Sequence, residues 1–142
     1  MNIFNLKICF YFTVFLSMNI FPQTKTDGWE ESGRYNKLFS NKIDTVSGIV
    51  LNVLSASPMP GMAQGIQLQV LSGKDTVTVH LCPKWVGVYL NLNIQPKQQV
   101  VIEGCRAVCK GAHVFMASKL TADTIILQLR DDKGSPIWDK LR

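Results

Sequence analysis

The chain of 142 residues is 46% hydrophobic and 18% charged, which argues against a disordered polymer and provides apolar content for the core of one domain plus an extension. Its formal net charge is +5. The bases are scattered without a run, so the charge reads as a solvated surface rather than a nucleic-acid footprint.

Residues 1–23 open with a single charge, Lys7, followed by an apolar stretch from Ile8 to Leu16 that is short for a membrane span. They are read as the signal peptide of an exported protein, periplasmic or secreted. No small-x-small cleavage site precedes Thr24, so a retained anchor is the alternative. Cys9 lacks the small preceding residue of a lipidated cysteine. Cleavage removes Lys7 and Cys9, leaving a net charge of +4 and the cysteines Cys82, Cys105 and Cys109. An odd count in an exported chain leaves at least one thiol unpaired, intermolecular or a ligand.

Residues 24–42 form an N-terminal extension. Thr24–Ser32 is polar and loose, although Trp29 suggests that it docks on the domain, and Arg34–Phe39 makes a helical turn with Tyr35, Leu38 and Phe39 on its apolar side. A β-barrel is expected over residues 43–130. Its first strand is the β-branched run Thr45–Ser55, interrupted by Gly48, which lets a long strand bulge or bend. Ser57–Met62, SPMPGM, breaks regular structure and presents Met59 and Met62 on a loop. Gly65–Trp85 then reads as a hairpin: with Gly73-Lys74 as a two-residue turn, Val70 faces Val77, Leu68 faces Val79 and Ile66 faces Leu81. The opposite face carries Gln67, Gln69, Thr76, Thr78 and His80. Val86–Ile94 is an irregular apolar connection. Gln98–Val108 is a fourth strand and His113–Leu120 a fifth, a three-residue turn setting Ile102 against Leu120, Glu103 against Lys119 and Cys109 against His113. Thr124–Arg130 is a last strand, and residues 131–142 are a tail packed on the barrel through Trp138. Short strands without a long helix indicate an all-β fold, a small OB-fold-like barrel of five or six strands, with a β-sandwich as the alternative.

The succession YNKLF (35–39), TVSGIV (45–50), PMPGM (58–62), GIQLQV (65–70), VHLCPKW (79–85), VIEGCR (101–106) and LRDDKGSPIW (129–138) resembles a family of exported bacterial OB-fold proteins of unestablished function, patterned as PMxGM, VHLGPxW and LRDxxGxPxW. The resemblance runs over nearly all of residues 28–142 and implies a secreted or periplasmic module. Cys82 and Cys105 stand where the pattern has Gly and Ser, so the thiols are additions to the shared machinery. His80, Pro83, Trp85, Met59 and Met62 fit it.

Residues entering the second strand and leaving the third lie at the same end of their hairpin, so Met59, Met62, His80, Cys82 and Trp85 are expected to cluster at the barrel mouth. Met59, Met62, His80 and Trp85 are the candidate binding site for an unknown protein or small molecule. A second reading uses Met62, His80 and Cys82 as ligands: thioether, imidazole and thiolate suit copper, and haem iron accepts Met and His. A third, a nucleic-acid-binding OB domain, needs a basic groove with aromatic faces, and the polar hairpin face has neither. Catalysis is not expected, because no G-x-S-x-G elbow is present and neither His80 nor His113 has an orienting acid in sequence. Asp131 and Asp132 read as turn caps. Cys105 and Cys109 are separated by roughly 13 Å of strand rise, too far for a disulfide, so any bridge involves Cys82. One disulfide and three free thiols both remain open. The expectation is a monomeric, non-catalytic module without a resident cofactor, without specific nucleic acid, and without membrane contact after signal cleavage.

Overall fold

The computed structural model describes residues 27–142; the signal-peptide reading of residues 1–23 lies outside the described residues. The alternating and β-branched runs form six strands, β1 (Asp44–Ala56), β2 (Gly65–Ser72), β3 (Asp75–Pro83), β4 (Gln99–Cys109), β5 (Ala112–Ala122) and β6 (Ile125–Gln128), with a short helix α1 (Lys84–Tyr89) between β3 and β4. Neighbours pair antiparallel in the order β3-β2-β1-β4-β5-β6, and a parallel contact of β3 with β5 closes the first five strands into a barrel. β1 makes closure possible by serving two neighbours in turn, β4 along Asp44–Ile49 and β2 along Ile49–Ala56. A β1-β2-β3 meander, a helix, and a β4-β5 hairpin returning to β3 make an OB-fold. The sandwich alternative falls, since all six strands belong to one closed sheet.

The hairpin register of Val70 with Val77 and Leu68 with Val79 is as expected and continues to Gln67 with His80, but a bulge there pairs Ile66 with Cys82 rather than Leu81. At the β4–β5 end the turn has two residues, not three. Lys110 and Gly111 both take positive φ, 53° and 75°, the conformation that a twisted two-residue hairpin turn requires. Cys109 therefore faces Ala112, and a bulge between Glu103 and Gly104 restores the expected pairs of Ile102 with Leu120 and Glu103 with Lys119. The bulge of β1 is not at Gly48. The register shifts later, between Val50 and Asn52, and Gly48 instead admits the Leu71 carbonyl, whose oxygen would lie 2.1 Å from a Cβ there.

Val46, Val50, Leu68, Val70, Val79, Val100, Ile102 and Leu120 are buried in the barrel with Cys82 and Cys105. All three thiols of the described residues are buried and unbridged. The segment Asp27–Ser32 docks through Trp29, as that residue suggested: Trp29 is buried, its Nε1 donates to the Ala63 carbonyl at 2.9 Å, and its own carbonyl accepts from Trp138 Nε1 at 2.7 Å. Trp29, Tyr35 and Trp138 pack edge to face, which joins the segment before the barrel to the tail after it. Among the described residues no helix is long and apolar enough to cross a membrane.

Candidate binding site

The β1–β2 loop is built by its own backbone. Ser57 Oγ donates to the carbonyls of Met59 and Met62, and the Met62 amide closes a turn on the Met59 carbonyl at 3.2 Å. From below, the Cys109 thiol donates to the Pro58 carbonyl at 3.4 Å. From the side, the Ala63 amide donates to the Asp27 carbonyl at 2.9 Å, and Gly28 lies so close to Met62 that a Cβ would stand 2.4 Å from its Cγ. Loop and N-terminal segment thereby enclose a shallow pocket of about 230 Å³, lined chiefly by Gly28, Arg34, Tyr35, Met59, Pro60 and Met62.

Tyr35 forms the inner wall, and its hydroxyl is joined to His80 Nδ1 by a hydrogen bond of 2.9 Å, the two rings stacked at 25°. His80 was expected on the polar face of the hairpin and is instead buried. Two elements cover it that strand alternation does not reveal: β5, where Met116 pairs with it, and the segment carrying Tyr35. Burial lowers the imidazole pKa to about 4, and burial likewise raises that of the Tyr35 phenol. Both groups are therefore neutral at pH 7.

Trp85 does not line the pocket. It is half-buried, its Nε1 donates to Asp27 Oδ2 at 3.0 Å, and the Arg142 guanidinium lies 5.6 Å over its ring. Partial burial acts to raise the Asp27 pKa, but hydrogen bonds from Arg142, the Trp29 amide and Trp85 hold the carboxyl below its ordinary range. Cys82 is fully buried, and desolvation pushes its thiol up to about 12, which disfavours the thiolate that ligation or nucleophilic attack requires. Of the residues singled out in the sequence, Met59 and Met62 therefore share the pocket, His80 stands behind its wall, Trp85 fastens the segment that roofs it, and Cys82 belongs to the core. Among the described residues no group of three or more His, Cys, Asp or Glu is arranged to hold a metal ion.

Sequence reasoning missed Tyr35 and Arg34 as lining residues and missed Arg130 altogether. Arg130 is buried and has no carboxylate partner among the described residues; it donates to Asn36 Oδ1 at 2.6 Å and to the Gly134 carbonyl at 3.0 Å, and lies 4.6 Å over Phe39 and 5.3 Å over Trp138. Asp131 caps the following turn, accepting from the amides of Lys133 and Ser135 at 2.9 Å each. The signal for both lay in the LRDDKGSPIW run, whose function in the fold cannot be read without the partner segment.

A family model described as the MamS/MamX magnetosome protein family matches residues 42–127. No curated protein matches the chain. Among solved structures, the mitochondrial single-stranded DNA binding protein Rim1 of S. cerevisiae is similar with a TM-score of 0.45 and 10% identity, over 60% of this chain and 96% of that one.

Proposed function

Because the chain belongs to the MamS/MamX magnetosome protein family, we propose that it acts there as an exported, non-catalytic binding module whose site is the pocket of Tyr35, Met59 and Met62. The observation that supports this reading is the pocket's make-up. Two flexible thioethers stand on a loop fixed on two sides against the Tyr35 ring of the N-terminal segment, with Arg34 at the rim, the pairing of adaptable apolar contacts with a charged edge suited to an apolar group of a protein or small ligand. His80 serves the site by holding the Tyr35 hydroxyl, and Trp85 by holding Asp27. The strongly shifted groups behind the wall are locked in neutral states, which suits a scaffold better than proton transfer near pH 7.

The full chain immobilised on a support and exposed to an envelope extract of the cells that make it should retain a specific partner, and the double substitution Met59→Lys, Met62→Lys should abolish retention with the melting temperature little changed. Undiminished retention would remove the pocket as the site. If the double variant loses its native circular dichroism, Arg34→Glu at the exposed rim replaces it and should weaken retention. The reading requires no metal or haem, and stoichiometric copper or iron that is lost on His80→Ala would favour the metal-binding alternative instead. It also requires no specific nucleic acid: with a net charge of +4 once Lys7 is removed with the leader, any oligonucleotide binding should be weak and should vanish with added salt.

A further inference from the structure

The pocket of Met59 and Met62 is small for a free ligand. At about 230 Å³ it is below the roughly 300–1,000 Å³ of sites that enclose a drug-sized molecule, and its size suits one side chain of a larger partner. Gly28, Gly33 and Gly61 line it with bare backbone, and with them stand the Met59 and Met62 thioethers and the Pro60 ring. Bare backbone and narrow, unbranched side chains admit a flat group. Sulfur adds a chemical preference, since thioethers make favourable contacts with aromatic rings that aliphatic chains do not offer. The charge at the rim has one sign. Of the lining residues Arg34 alone is charged; it is exposed and joins no ion pair among the described residues. The β1–β2 loop has nothing to answer it, because from Thr45 to Gly73 the chain carries no Asp, Glu, Lys or Arg. Glu30, on Arg34's own segment, is engaged by the Gly28 amide, which donates to its carboxylate at 3.2 Å.

We propose that the pocket takes an aromatic side chain of a partner protein with an acidic residue beside it in sequence, the ring entering against Met59 and Met62 and the carboxylate meeting Arg34. The inference rests on the pocket being the binding site and goes further by naming what that site selects. An aliphatic side chain would fill the same volume but forgo the contacts of sulfur with a ring. A basic neighbour would be repelled by Arg34, whereas an acidic one is both steered and held by it.

Titration of the full chain, carbon-13 labelled at its methionine methyl groups, with end-blocked tripeptides tests this, the signals being assigned through Met59→Leu and Met62→Leu. The peptide Asp-Phe-Asp should move the Met59 and Met62 signals upfield by ring current and leave Met116, buried on β5, in place. Leu in place of Phe should weaken binding about three- to tenfold, the worth of the contact of sulfur with a ring, and Asn in place of both Asp about threefold. Arg34→Gln should abolish the second difference and spare the first, whereas Lys37→Gln, the same loss of charge at an exposed residue that does not line the pocket, should change neither. Signals that stay in place, a leucine peptide bound as tightly as the phenylalanine one, or a charge preference that survives Arg34→Gln each overturn the proposal. If any of these occurs while retention from the envelope extract still depends on Met59 and Met62, the pocket stands as the site and only the class of ligand is wrong; if retention is indifferent to them as well, both readings fall.

Discussion

His80 shows how a single side chain is decided by what lies over its strand. Its position in the alternation assigns it to solvent with Thr76 and Thr78, yet it is buried beneath Tyr35 with an imidazole pKa lowered by desolvation from 6.5 to about 4. The sign of the pH effect follows. Between these values the unfolded chain binds a proton that the native state refuses, so the contribution of His80 to stability is present above pH 6.5 and is lost as pH falls from there to about 4. The loss should reach on the order of 3 kcal/mol. Chemical denaturation of the native protein and of His80→Gln as a function of pH checks it: the steep decline over that interval should flatten in the variant, and an unchanged profile would mean that other groups carry it.

At the scale of elements, the hairpins were the most legible part of the sequence and their irregularities the least. Period-two alternation specified the Val70–Val77 and Leu68–Val79 pairs because only one register places every apolar side chain on one face. The same alternation gave the β4–β5 pairs near Ile102 correctly while miscounting the turn, because a bulge adds one residue and a shorter turn removes one. Two compensating shifts leave no mark in a hydrophobic pattern. Gly104 is their physical trace, for a Cβ there would lie 2.0 Å from the Met116 carbonyl oxygen. Gly104→Ala is therefore expected to destabilise the barrel by at least ~2 kcal/mol, far more than a helix or strand propensity difference. Equilibrium unfolding measures this, and a cost below about half a kilocalorie would show that the bulge can move.

For the whole molecule, the barrel's closure was readable from the number of short strands and the want of a long helix, but the candidate site was only half readable, since part of its wall comes from Gly28–Tyr35, over which no periodicity operates. Contacts between segments remote in sequence decide it: Trp29 meets Trp138, and Asn36 meets Arg130 across 94 positions. The pocket roof, the core under it and the tail are consequently one cooperative unit rather than a barrel with two loose ends. Trp138 is the test of that unity. It is fully buried, packs edge to face on Trp29, donates to the Trp29 carbonyl and lies beneath the Arg130 guanidinium. Trp138→Ala should cost about 3–5 kcal/mol and leave the Trp29 carbonyl without its indole donor, although Asn36 continues to donate to it. If the ends fold with the barrel, the variant should still unfold in one transition, shifted to lower denaturant, with fluorescence and circular dichroism coincident. If they are independent, the remaining tryptophans should report an early transition while the strand signal keeps its original midpoint, and the pocket would then be a feature that opens without disturbing the barrel.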